Sequence, residues 1–145
     1  MQPKCNFIST YVKFNSFVEA LAEKAHDLSS DQIKVALCAT ANAPVAGNTV
    51  LADLVEISYT NLSARDVTTV SSGQTAGTYK LVLDDLTLTV SGGAVAAFQY
   101  IVLYNDTATN KELIGFYDYG SSVVLADGDQ FILDFSAVNG VIQIV

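Results

Sequence analysis

The stretch from Thr78 to Asp106 limits what this chain can fold into more than any other part of it. It reads TYKLVLDDLTLTV, then Ser91-Gly92-Gly93, then AVAAFQYIVLYND. In the first half Tyr79, Leu81 and Leu83 alternate with Lys80, Val82 and Asp84, and Leu86, Leu88 and Val90 alternate with Thr87 and Thr89. Successive side chains of a strand point to opposite faces, so this two-residue repeat describes half-buried strands. The phase slips at Asp84-Asp85. A one-residue slip turns the other face inward, so the acidic pair marks a bulge or bend. In the second half Phe98, Tyr100, Val102 and Tyr104 share one face, while Ala97, Ile101 and Leu103 make the other apolar as well. A strand apolar on both faces is covered on both sides and belongs at the centre of its sheet.

Turn residues divide the rest into similar pieces. Glu112 to Tyr119 reads as a strand closed by Gly120-Ser121-Ser122. Asp127-Gly128 is a hairpin-turn signal before Phe131, Leu133 and Phe135, and Val138-Asn139-Gly140 turns into the final VIQIV. That last strand is apolar and uncharged, so it must pair in the sheet or with a neighbour, because an open edge templates another chain. Ile33, Val35 and Leu37 begin a strand, and Val67 to Val70 form a weak one ended by Ser71-Ser72-Gly73. Residues 50–57 (VLADLVEI) fit a short helix or a strand equally well. Residues 39–49 (ATANAPVAGNT) have no period and read as a long loop of the kind that forms interaction surfaces.

One segment has a different period. Phe14, Phe17, Val18, Leu21, Ala22, Ala25 and Leu28 fall at three- and four-residue steps, and Ser16 and Glu19 have capping-box spacing. This predicts an amphipathic helix of about three turns that covers one face or open end of the sheet. The expected fold is mainly β, an antiparallel β-sandwich or jelly-roll-like domain with one N-terminal amphipathic helix. Residues 1–12 read as an arm and residues 13–145 as a single domain.

Composition narrows the function. A chain of 145 residues can bury one adequate core without metal or disulfide. Its 50% apolar and 15% charged residues are more apolar than a lone soluble surface needs, which predicts burial against neighbouring subunits in a homo-oligomer. A net charge of −8 and a single arginine, Arg65, argue against nucleic acid as a partner. From Glu112 onward there is no lysine or arginine, while Lys4 and Lys13 stand near the start. That bias offers head-to-tail attraction between subunits, although a solvated acidic surface is the plainer account. No apolar run approaches ~20 residues, so neither secretion nor a membrane span is expected and synthesis is placed in the cytoplasm. Cys5 and Cys38 read as a free thiol and a buried small hydrophobe rather than a bridge.

The same residues supply no catalytic set. His26 is the one histidine, so a cupin-type metal centre, a zinc site and a Ser-His-Asp triad all lack members. His26 flanks the apolar stripe and reads as an ordinary histidine on the helix surface. Asp127-Gly128-Asp129 offers oxygen ligands for calcium but lacks the spacing of a twelve-residue calcium loop, and turn formation explains it. Asp84 and Asp85 are adjacent on an extended chain and point to opposite faces. Ser91-Gly92-Gly93 and the glycines at 73 and 77 are turns, not phosphate cradles. Phe98, Tyr100, Tyr104, Phe116, Tyr117 and Tyr119 would form a sugar-stacking platform if exposed; on central strands they pack the core. No catalytic, cofactor-binding or metal-binding residue is assigned.

An ordered series of motifs adds a resemblance. KFNSF (13–17), NTVLAD (48–53), GTYKLVL (77–83), VLYNDT (102–107) and DYGSS (118–122), followed by Asp127-Gly128-Asp129, resemble a group of small structural proteins of tailed bacteriophages. The similarity runs from about Lys13 to the C-terminus, and its specificity lies in the order of the pieces. In size and composition the most similar virion proteins are capsid decoration, or cement, proteins, which sit outside the head as oligomers, often trimers. The resemblance implies a non-enzymatic virion protein on the capsid surface, bound to the major capsid protein and to copies of itself. The arm (1–12) and the loop 39–49 would then be the contact segments. The alternatives are a tail- or fibre-associated host-binding module and, third, a small carbohydrate-active jelly-roll enzyme.

Overall fold

The computed structural model describes residues 4–5 and 10–145. Strands account for 43% of the chain and helical turns for 9%, so the protein is mainly β, with antiparallel sheets. In chain order the elements are β1 (Lys4–Cys5), β2 (Thr10–Lys13), α1 (Phe17–Ala22), β3 (Ile33–Cys38), β4 (Asp66–Val67), β5 (Thr69–Thr75), β6 (Thr78–Leu83) and β7 (Leu86–Thr89). They continue with β8 (Phe98–Asn105), β9 (Leu113–Val123), β10 (Gln130–Leu133) and β11 (Ile142–Ile144). Three sheets result, with orders β2-β9-β8-β3-β4, β11-β6-β5 and β1-β10-β7. Among the described residues all strand pairings are antiparallel except that of β1 with β10.

Strand β8 is the centre of the five-stranded sheet, and its alternation feeds two apolar clusters. Ile101 and Leu103 join Val35 and Leu37 of β3 in the larger cluster, where Leu81, Leu83, Leu88, Phe131 and Leu133 arrive from the two smaller sheets. Val102 and Tyr104 point to the opposite face and pack with Ala36, Cys38, Phe116 and Phe14, under Leu51 and Leu54 of the long connection from β3 to β4. Full burial of a Leu is worth about 1.5–3 kcal/mol, and half-buried Leu51 and Leu54 each contribute part of that to holding the first half of the connection against the sheet.

Several sequence expectations change here. The runs on either side of Ser91-Gly92-Gly93 do not pair with each other. β7 pairs with β10, and β8 pairs with β3 and β9. The slip at Asp84-Asp85 is a change of sheet: β6 lies beside β5 and β11, whereas β7 lies in the other three-stranded sheet. Both strands keep leucines inward because the bend resets the phase. Asp127-Gly128 is a turn but not a hairpin, since β9 and β10 do not pair; Gly128 N–H instead donates to the Val90 carbonyl at 2.9 Å. The weak strand at 67–70 does not end at Ser71-Ser72-Gly73, because β5 runs on to Thr75. The Gly120-Ser121-Ser122 turn is part of β9, which bulges between the Phe98–Val123 and Tyr100–Asp118 pairs. Residues 50–57 are neither regular helix nor strand; they hold one 3-10 turn, Leu51–Asp53.

Residues 10–12 of the expected arm form part of β2, with Thr10 opposite Asp118 and Val12 opposite Phe116. Residues 1–3 and 6–9 lie outside the described residues. The helix has six residues, about 1.7 turns rather than three. Ser16 is its N-cap but makes no side-chain capping bond, so the expected capping box does not form. Lys24 stops the helix by taking φ of 67°. Ala25 N–H then reaches the Ala20 carbonyl at 2.8 Å and Lys24 N–H the Leu21 carbonyl at 3.4 Å, a Schellman ending with lysine where glycine is usual.

Candidate interaction surface

His26 is not on the helix surface. It follows the helix and is 5% exposed, against Phe17 at a ring separation of 5.3 Å. The Asn105 side-chain amide approaches His26 Nδ1 at 3.0 Å and donates to Asp31 Oδ2 at 2.5 Å. Asn105 Oδ1 in turn accepts the N–H groups of Thr107 and Ala108, both at 3.0 Å. With its oxygen so held, Asn105 turns its amide nitrogen to His26, an arrangement that suits Nδ1 as an acceptor on a neutral imidazole. Burial lowers the His26 pKa, against the pull of Glu112 and Asp31, which raise it. The apolar spacing that suggested a surface histidine missed this because the partner, Asn105, lies at the end of β8.

The other residues singled out in the sequence are structural. Asp127 Oδ1 accepts the Gly92 N–H at 3.0 Å and Asp129 Oδ2 the Ala126 N–H at 2.9 Å, so both brace turns. Asp85 Oδ1 accepts Phe135 N–H at 2.8 Å, tying the sheet-switching bend to the segment after β10. Phe98, Tyr104, Phe116 and Tyr117 are buried and cannot offer a stacking platform. Cys38 is a buried free cysteine, and burial pushes its thiol up to about 11; nothing is described of the Cys5 side chain. Among the described residues no group of three His, Cys, Asp or Glu is placed to hold a metal ion.

Two surfaces stand out. The connection from β3 to β4, residues 39–65, lies on the outer face of the five-stranded sheet through Leu51 and Leu54 and then turns to the inner cluster, where Ile57, Tyr59 and Leu62 pack and Ser63 N–H donates to the Thr89 carbonyl at 3.0 Å. Ala46 carbonyl accepts Asn15 N–H at 2.9 Å, and Asn48 Oδ1 accepts Val45 N–H at 2.8 Å. Leu51 N–H donates to Lys111 carbonyl at 3.0 Å, and Ile57 N–H to Leu37 carbonyl at 2.9 Å. Asp53 Oδ2 caps its own turn from Thr49 N–H at 2.8 Å, which with Val50 N–H and the Thr49 hydroxyl lowers its pKa. Near the end, the Arg65 guanidinium lies 3.5 Å over the Tyr59 ring and donates to the Val35 carbonyl. Tyr59 donates to Glu56 Oε1 at 2.6 Å and accepts Leu37 N–H at 2.9 Å. Burial first, then that bond to Glu56, pushes the Tyr59 hydroxyl well above its usual value. The segment so held exposes Val45 (59%) and Val55 (60%).

No family model, curated protein or solved structure matches this chain. The second surface lies on the other side of the molecule's core, beside β11. A groove of about 400 Å³ is lined there by Tyr11, Lys13, Phe17, Val18, Leu21 and residues 141–145. The sequence marks the apolar VIQIV and the loop 39–49, which holds Val45, but not Val55 or the Arg65–Tyr59 clamp. The clamp joins residues whose spacing matches no local pattern.

Proposed function

We propose that this chain is a non-enzymatic bacteriophage virion protein, a capsid decoration or cement protein that binds the outer surface of the head and stabilises it. Its fold reads as an antiparallel β-sandwich of the jelly-roll kind with a short N-terminal amphipathic helix, since the larger apolar cluster draws on all three sheets. The ordered motif series from Lys13 to Asp129 supports the virion assignment. The single observation that carries it is the hydrogen-bonded segment 39–65 with Val45 and Val55 turned outward. Apolar side chains on a segment already fixed in place lose little entropy on docking, which favours binding over chemistry. A ligand that binds only an assembled lattice stabilises it by mass action, and many copies multiply a modest energy per site. The major capsid protein is the proposed partner.

The test is re-addition of purified protein to heads that lack it. Saturable binding in hundreds of copies per particle, with a raised disassembly temperature, is expected. Val45→Asp with Val55→Asp should abolish both effects while leaving the fold intact. A handful of copies per particle would place the protein on the tail. That second reading is favoured by one observation, a hollow of about 830 Å³ over β5 and β6, lined with hydroxyl and amide side chains including Ser71, Gln74, Thr78 and Gln143. Such a lining suits a glycan, and glycan-array binding would support it.

A further inference from the structure

The sheet β11-β6-β5 is the neutral flank of an acidic molecule. Its three strands hold one charged residue, Lys80, in a chain whose net charge is −8. β11 ends that sheet, so among the described residues one row of its backbone groups has no strand beside it. Natural edges are blunted by charge, proline or a bulge. The opposite edge strand, β5, has a register irregularity between Thr69 and Ser71. β11 has none of these devices; it presents Ile142, Gln143 and Ile144. Beside it runs the apolar groove, where Val18 is 54% and Ile144 41% exposed.

We infer that β11 pairs with β11 of a second copy of this chain, antiparallel, about a two-fold axis passing near Gln143. Charge selects this occupant. Two copies that each carry −8 repel over most of their surfaces, and they approach most easily where acidic side chains are absent. The groove lining contains no aspartate or glutamate side chain, and its one charged side chain is Lys13. A two-fold contact uses the same patch on both partners, and a short uncharged strand is self-complementary in that arrangement. Pairing gives the open backbone row its hydrogen bonds and covers Ile144 and Val18 together. The inference deepens the proposed function by naming one partner and its surface; it rests on the reading that the chain works through protein contacts, but not on binding to heads.

Sedimentation of the full chain, 15.4 kDa as a monomer, tests the pairing directly. A species of twice that mass is expected. Ile144→Lys places a charge on an exposed edge position, so the fold, checked by circular dichroism, should survive while association weakens by about 100-fold or more. Gln143→Cys in a Cys5→Ser background should cross-link into a symmetric dimer on mild oxidation. Opposed Cα atoms in an antiparallel pair are ~4.5–5.5 Å apart, within disulfide reach. Cys38 is buried and does not compete. A wild type that stays monomeric at its highest soluble concentration overturns the pairing, as does a trimer indifferent to Ile144→Lys or a Gln143→Cys chain that does not cross-link. A monomer that still saturates heads would leave the proposed function standing and remove only this inference. A cross-linked dimer that binds no particle would do the reverse.

Discussion

Asn105 and His26 meet at 3.0 Å through the amide nitrogen of one and Nδ1 of the other, in a setting where both residues are buried. The pair joins the end of β8 to the turn after α1, two points 79 residues apart in sequence. Asp31 shares the same amide nitrogen, so one side chain ties the turn to the end of β8 at two points.

This contact makes folding sensitive to acid. His26 has a folded pKa below its ordinary value of 6.5 because burial disfavours the imidazolium. Below about pH 6.5 the unfolded chain therefore takes up a proton that the folded chain refuses. Stability from this group is fully present above pH 6.5 and falls as pH drops toward the folded pKa, by at most ~1.4 kcal/mol per pH unit. Thermal midpoints measured from pH 8 to pH 5 should decline, and His26→Gln should flatten that decline.

Removing Asn105 should be costly at any pH. Asn105→Ala leaves the buried His26 Nδ1 and the Thr107 and Ala108 N–H groups without their partner, a loss of about 2–4 kcal/mol. Urea denaturation at neutral pH would measure it; a change below half a kilocalorie would mean the network contributes little.

The turn between β5 and β6 can be improved. Ala76 and Gly77 connect the Thr75–Thr78 pair with φ of 50° and 85°. Two positive φ values describe a primed turn that favours Asn-Gly. Ala76→Asn should raise stability by about 0.5–1 kcal/mol, read as a shift in denaturation midpoint at constant slope.

Gly115 should tolerate no side chain. A Cβ there would come within 2.5 Å of Tyr11 Cζ, because the Tyr11 ring lies across the glycine and packs on Tyr117 at 4.8 Å. Gly115→Ala should displace Tyr11 and fray β2, seen as faster amide exchange at residues 10–13 and a loss of about 1–3 kcal/mol.

Arg65→Lys should loosen the second half of the β3–β4 connection without unfolding the sheet. Lysine cannot stack a planar fork on Tyr59 while reaching the Val35 carbonyl. Amide exchange should rise across residues 54–65 while β8 stays protected, and a uniform rise would mean the clamp supports the whole fold.

The residues that alternate or fall in long apolar runs are readable from the sequence except Phe98, which an irregularity before Tyr100 turns to the inner cluster, away from the face it is expected to share with Tyr100, Val102 and Tyr104. Ile101 to Tyr104 demanded cover on both faces, and both clusters supply it. Leu81, Leu83 and Leu88 were correctly placed inward, because a strand's period fixes its faces wherever it pairs. The pairing itself was not readable. Ser91-Gly92-Gly93 has the composition of a hairpin turn, yet its flanking strands join different sheets, since partner choice depends on which distant apolar faces can be buried together. The stripe from Phe14 to Leu28 suggested a long helix because its spacing is helical. Phe14 instead packs on the outer cluster and Phe17 on the inner one, and one helix face cannot serve both sides of a sheet.

Sequence by itself determined the β character, the centrality of β8, the acidic net charge and the apolar, uncharged final strand, all of which follow from local periodicity and residue type. Tertiary structure alone decided that His26 is buried against Asn105, that Arg65 clamps the second half of the β3–β4 connection, and that the final strand keeps one open edge. Each of those depends on groups brought together from far along the chain, and short-range patterns hold no information about such distances.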